Sequence, residues 1–122
     1  MSQISLGIVV IVVSDSRNEQ TDKSGKGLEE RINKSGHKLV QKIFLKDNVE
    51  DIKSKLLELI NSDNHNVVIL SGGTGLTGRD STPEAVKAVI KKEIPGFGEI
   101  FRMISYDKIA TSSLQSRAMA GL

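Results

Sequence analysis

The stretch Val67-Val68-Ile69-Leu70-Ser71-Gly72-Gly73-Thr74-Gly75, followed by Arg79-Asp80-Ser81-Thr82-Pro83-Glu84, decides the architecture of this chain. Four aliphatic residues in a row read as a buried strand. Glycines at 72, 73 and 75 predict a tight turn whose backbone N–H groups face inward on a closely approaching ligand. Thr82 reads as a helix N-cap and Pro83 as the first helical position, so a helix restarts just behind the loop. An anion placed there meets backbone donors and the positive end of a helix dipole. Asp80 is the odd element, because a carboxylate repels an anionic ligand unless a cation lies between them. A phosphate ligand with Mg²⁺ satisfies both.

Working outward, residues 6–13 form a continuous apolar run rich in Val and Ile, as a parallel strand covered on both faces requires. Residues 24–35 read as a modest helix with Leu28 and Ile32 on one face and Gly36 at C′. The segment 38–45 mixes Lys and Gln with Val, Ile and Phe, which suits a strand near a sheet edge. Asn48 caps the clearest helix, where Ile52, Leu56, Leu59 and Ile60 share a face and Glu50 and Asp51 occupy the first turn. After the strand at 67–70, a helix is expected at 83–92, ended by Ile94-Pro95-Gly96. A short helix at 98–105 and a last one at 112–120, with Gly121 as terminator, complete the series. The order β-α-β-α-β-α-α-α implies α/β architecture: a parallel sheet with right-handed crossovers and helices on both faces.

With 122 residues the chain makes a single domain, and its 38% hydrophobic and 26% charged residues are ordinary for a globular protein. The net charge is only +2 with dispersed lysines, so no nucleic-acid surface is expected. The absence of cysteine removes disulfides, thiolate metal sites and a cysteine nucleophile, and fits a cytoplasmic location. The run at 6–13 is far short of the roughly 20 residues of a membrane span and lacks signal-peptide flanks. His37 and His65 are isolated, so zinc is not expected.

Parallel sheets bind ligands beyond the carboxyl ends of their strands. The sequence puts polar residues at all three ends: Ser14-Asp15-Ser16, Asp47-Asn48, and the glycine loop with Asp80. Each has a plain structural alternative. The glycines suit a tight turn, Asp15 a turn-former, Asp47 a helix start, and Asp80 a loop carboxylate or part of the cap. The loop matches neither the P-loop, since no Gly-Lys-Ser/Thr follows, nor the dinucleotide fingerprint. Together, the three acids suit Mg²⁺ binding or a proton-accepting role. Arg102 and Arg117 read as solvated or paired with acids, with reach to an anionic ligand as the alternative. Ser112 and Ser113 read first as a helix cap cluster.

Ser71-Gly72-Gly73-Thr74-Gly75, Arg79-Asp80-Ser81-Thr82-Pro83-Glu84, Pro95-Gly96-Phe97-Gly98-Glu99 and Thr111-Ser112-Ser113-Leu114-Gln115-Ser116-Arg117-Ala118 stand in the order and spacing of one family. They resemble the MoaB/Mog family of molybdenum cofactor biosynthesis proteins, and the segment 101–121 is similar to the MoaB branch. The resemblance covers essentially the whole chain. It implies a three-layer α/β/α sandwich with a mostly parallel sheet, and molybdopterin adenylyltransferase activity. In that reaction the terminal phosphate of molybdopterin attacks the α-phosphate of ATP and pyrophosphate leaves.

By the same resemblance, Asp47 and Asp80 are the essential acids, with Asp80 the Mg²⁺ ligand. Gly72, Gly73, Thr74 and Gly75 hold phosphate or pterin. Ser14, Asp15 and Ser16 bind substrate or phosphate, with Asp15 and Ser16 near the nucleotide, and Ser112 and Ser113 lie near the pterin end. The family also implies a homotrimer or homohexamer and hand-over of product to a molybdate-inserting protein. Its pattern continues past position 122 with a further strand, a Pro-Gly-Ser loop and a helix, so the chain is expected to lack these. That shortening motivates an alternative function, a non-catalytic module binding molybdopterin or a nucleotide. A third reading is a nucleotide-pyrophosphatase-like domain of the kind found in competence-associated proteins, against which Ser116-Arg117-Ala118 stands.

Overall fold

A computed structural model describes residues 4–15, 22–76, 80–109 and 116–122. The first strand, β1 (Gly7–Val13), is the most buried element, and its two faces feed two separate apolar clusters. Val9, Ile11 and Val13 pack with Ile52, Leu56, Leu59 and Ala85. Ile8, Val10 and Val12 pack with Ile32, beside Leu28. Alternate residues of a strand point to opposite faces, so an unbroken apolar run is what a sheet covered on both sides demands.

The order continues α1 (Ser24–Lys34), β2 (Lys38–Leu45), α2 (Val49–Ile60), β3 (Val67–Ser71), α3 (Thr82–Val89) and α4 (Pro95–Ile109). Both β2 and β3 pair with β1 in parallel, giving the order β2-β1-β3. The mixed composition of β2 thus matches a flanking position. An extra residue near Val40 shifts the β1–β2 register between Ile8 and Val9. Helix α1 lies on one face of the sheet, and α2 and α3 on the other, which is the three-layer arrangement. Asn48 caps α2 as expected, its side chain accepting from the Asp51 N–H at 3.1 Å. Gly36 follows α1 with φ 81°, the left-handed geometry a C′ residue needs. Among the described residues no helix is long and apolar enough to cross a membrane.

Four expectations need correction. Thr82 is not the N-cap of α3 but its first residue, after Ser81, and its hydroxyl is used elsewhere. The same helix stops at Val89 rather than 92, because Ile90 is extended (ψ 153°) and Lys91 and Lys92 donate to the Leu122 carbonyl. Pro95 does not break a helix but opens one: α4 runs 15 residues, since a proline in the first turn gives up no intrahelical bond. Finally, of the helix expected at 112–120, residues 112–115 lie outside the described residues and 116–120 are not helical. Their backbone groups are bonded elsewhere. Arg117 N donates to Thr74 O, the Ala120 carbonyl accepts from Ile94 N, and Gly121 forms an antiparallel bridge with Glu93.

Candidate functional site

The three strand ends are tied into one surface. Beyond β1, Ser14 N donates to Leu45 O at 2.9 Å. Asp15 then accepts from the Asp47 N–H through Oδ1 at 3.2 Å. Asp47 in turn accepts the Ser81 N–H through its own Oδ1 at 2.8 Å. Residues from three separate connections are thus chained in the order Asp15, Asp47, Ser81. Asp47 therefore does more than start α2: it fixes the entry to α3.

The glycines are required first by the protein itself. Gly72 and Gly73 have φ 100° and 67°. A Cβ on Gly72 would strike the backbone carbonyl of Val13, and one on Gly73 would strike Thr82 Oγ1 and lie 3.2 Å from Asp47 Oδ1. A Cβ on Gly75 would stand 2.7 Å from Asp80 Oδ2. The loop is folded down on the end of β1, the start of α3 and the Asp80 carboxylate, and at positions 72 and 73, where φ is positive, only glycine permits that.

Every carbonyl from Gly72 to Gly75 is engaged. Gly72 O accepts from Thr82 Oγ1 at 2.7 Å and Gly73 O from Thr82 N at 3.0 Å. Thr74 O accepts from Arg117 N at 2.9 Å and Gly75 O from Arg117 Nε at 2.7 Å. A trans peptide unit holds its C=O antiparallel to the next N–H, and the described chain has no cis peptide. The N–H groups of Gly73, Thr74, Gly75 and Leu76 therefore each point away from those partners. Among the described residues none accepts from these four donors. Successive backbone donors without an acceptor in the fold are groups that an anion can satisfy.

Arg117 also donates to Asp80 O at 2.9 Å and grips Glu84, in the first turn of α3, with both terminal nitrogens. The Glu84 carboxylate, with the Asp80 and Asp47 charges behind it, raises the guanidinium above its ordinary pKa. The hydrogen bond from Arg117 lowers Glu84 in return.

Of the residues expected from sequence, the structure brings together Ser14, Asp15, Asp47, Gly72, Gly73, Thr74, Gly75 and Asp80. Ser16, Ser112 and Ser113 lie outside the described residues. Thr82, Glu84 and the clamp made by Arg117 emerge from the structure. The sequence allows an acid partner for Arg117, but no local signal joins positions 33 or 42 residues apart. Arg102 is used structurally, donating to Ser116 O and Ala118 O at 3.1 and 3.2 Å. Among the described residues no three His, Cys, Asp or Glu side chains form a group that would enclose a metal ion. A cleft of about 370 Å³, lined by residues such as Lys38, Val40 and His65, opens at the opposite, amino-terminal end of the strands. It is remote from the acids and carries no part of the site.

Fold and site define a class: a parallel α/β domain with a glycine-rich loop and acids at the carboxyl edge of its sheet. The chain belongs to the molybdenum cofactor biosynthesis family, residues 9–122 matching a family model described as a probable molybdopterin binding domain. It is 42% identical over 127 residues to molybdenum cofactor biosynthesis protein B of Escherichia coli K12, covering 100% of this chain and 75% of that protein. A protein of Methanocaldococcus jannaschii named probable molybdopterin adenylyltransferase is 37% identical over 120 residues, covering 93% of this chain and 71% of that one. A crystal structure of a molybdenum cofactor biosynthesis protein B superposes with TM-score 0.94 at 42% identity, over 100% of this chain and 76% of that chain.

Proposed function

We propose that this domain adenylylates molybdopterin with Mg-ATP. The observation that supports this best is the loop whose carbonyls from Gly72 to Gly75 are tied back, leaving four N–H groups turned the other way beside Asp47 and Asp80. The name of the M. jannaschii relative agrees with it. In the reaction, an oxygen of the molybdopterin phosphate forms a bond to the α-phosphorus of ATP. The bond from that phosphorus to the β-bridging oxygen breaks, and its electron pair leaves with pyrophosphate. Nucleophile and electrophile are both anionic, so positioning and charge neutralisation matter more than a strong base.

The loop N–H groups receive phosphate oxygens. Asp47, anchored by the Ser81 N–H, is the essential acid that holds the loop and the entry to α3 in register. Asp15 steadies Asp47, and with Ser14 and Ser16 lines the nucleotide side, while Ser112 and Ser113 take the pterin end. Asp80 is the hard-oxygen ligand for Mg²⁺. The donor set fits, because Mg²⁺ in nucleotide sites usually takes one or two carboxylates and completes its shell with phosphate and water. Mg²⁺ held by Asp80 would supply the positive charge that screens the two like-charged phosphates.

Helix α4 leaves Phe97, Ile100, Phe101, Met103 and Ile104 exposed, and an apolar face of that kind supports a homotrimer or homohexamer. Sedimentation of the purified chain tests this, and a monomer at assay concentration refutes it. A cytoplasmic location and hand-over of adenylyl-molybdopterin to a molybdate-inserting protein complete the reading. The decisive experiment incubates the chain with molybdopterin, Mg²⁺ and ATP labelled in the α-phosphate. Labelled adenylyl-molybdopterin and pyrophosphate should appear in equal amounts. Pterin binding without transfer would instead identify a non-catalytic binding module.

A further inference from the structure

We infer that Arg117 is a positioning residue for this site: it sets the direction of the loop's peptide units and so creates the phosphate-facing row of N–H groups. The inference rests on the adenylyltransferase reading for the identity of the ligand, but its geometry stands on its own.

Arg117 reaches both ends of the loop. Its backbone N–H and Nε hold the carbonyls of Thr74 and Gly75, where the chain leaves the glycines. One of its terminal nitrogens holds the carbonyl of Asp80, where the chain returns. The consequence of fixing a carbonyl is visible at that last position. With Asp80 O turned to Arg117, the next N–H, that of Ser81, is turned to Asp47 Oδ1 at 2.8 Å. By the same antiparallel rule the N–H groups of Gly75 and Leu76 are turned away from Arg117. Three peptide units are thus oriented by one residue.

Glu84 explains why the orienting group is arginine. The planar guanidinium offers five donors in a fixed fork. Glu84 takes two terminal positions, which leaves Nε and the second hydrogen of Nη2 aimed at the carbonyls of Gly75 and Asp80. A lysine ammonium in its place would supply one charge without the fork. The pair with Glu84 also offsets most of the positive charge. Arg117 therefore serves the loop as a geometric clamp more than as a cation for the ligand.

The test compares the intact chain with Arg117→Lys and Arg117→Ala, and with Glu84→Gln, which keeps the arginine and loosens its fork. Amide resonances of Gly73, Thr74, Gly75 and Leu76 are followed during titration with inorganic pyrophosphate, which reads the cradle without turnover. In the wild type these amides should shift. In Arg117→Lys and Arg117→Ala the affinity should fall by about tenfold or more, and in Glu84→Gln by less. In the adenylylation assay KM for ATP should rise more than kcat falls. Arg117→Lys should do no better than Arg117→Ala, which a merely electrostatic role would not produce. Pyrophosphate binding and KM unchanged in a folded Arg117→Lys protein would overturn the inference. Should Arg117→Ala fail to fold, Arg117→Lys and Glu84→Gln carry the same comparison. A wild type that binds pyrophosphate through these amides but transfers no AMP would refute the enzymatic reading and leave the clamp standing.

Discussion

Replacing Gly72 by alanine should unfold the corner on which the whole site is built. The residue has φ 100°, beyond the range even a left-handed helical conformation offers a side chain. Holding alanine there costs about 1–3 kcal/mol. The added Cβ would also strike the carbonyl oxygen of Val13. That atom is backbone at the end of the central strand, so no side-chain rotation relieves the contact. Moving the loop away breaks the bond from Thr82 Oγ1 to Gly72 O, worth about 1 kcal/mol, and strains the register in which Ser71 faces Val12. The sum is about 2–4 kcal/mol, or a fall in melting temperature of roughly 10 °C. Urea unfolding followed by circular dichroism measures it, with Gly27→Ala as the internal control. Gly27 sits inside α1, and a methyl group added there would meet nothing within 4 Å, so that change should stabilise by about 0.5–1 kcal/mol. A Gly72→Ala protein within about 0.5 kcal/mol of wild type would refute the argument from φ and close approach.

Other outcomes follow from the same geometry. Asp80→Asn removes the carboxylate charge proposed to hold Mg²⁺, so adenylylation should fall by about 100-fold or more while the urea midpoint changes little. Asp47→Asn keeps an oxygen for the Ser81 N–H, so it too should leave the urea midpoint little changed, and full activity in both variants would refute the essential role of these acids. For the exposed pair Glu84–Arg117, the sign of the pH effect comes from Glu84, whose folded pKa is lowered from the ordinary 4.5. Its stabilisation is present above that value and lost as pH falls through the lowered one. It should amount to no more than about 1 kcal/mol because water screens the pair, and a Glu84→Gln protein should show that much less acid sensitivity below pH about 4.5. On the α1 side, Asp22 is wholly buried, accepts from Gly25 N at 2.7 Å and stands 3.4 Å from Lys42 Nζ. Asp22→Asn should therefore destabilise by about 2–4 kcal/mol in thermal melts, because it removes a buried charge that faces the Lys42 ammonium. A loss below about 1 kcal/mol would refute that role for the Asp22 charge.

Much of the fold was legible because the relevant signals are local. The unbroken run in β1, the mixed face of β2, the Asn48 cap and the Gly36 stop each act within a few residues. The structure places all four as the pattern requires. The errors occur where distant chain intervenes. Helix α3 loses its last turn because residues 91–94 pair with 120–122. The segment 116–120 gives up helix because Arg117 and Ala120 are bonded to Thr74 and Ile94. Thr82 stands inside the helix rather than at its cap, where its N–H and hydroxyl donate to the Gly73 and Gly72 carbonyls of the distant loop.

The same division runs through the site. Sequence alone determined that an acid-bearing loop stands at the end of each strand, because strand ends and glycine turns are marked by composition and period. It also identified Asp47, Asp80 and the glycines as candidates. Only the tertiary structure decided that Asp15, Asp47 and Ser81 are linked by hydrogen bonds and that Arg117 clamps the loop from 42 residues away. Hydrogen-bond direction belongs to peptide planes fixed by remote partners, and no local pattern of residue types records which way a carbonyl will turn.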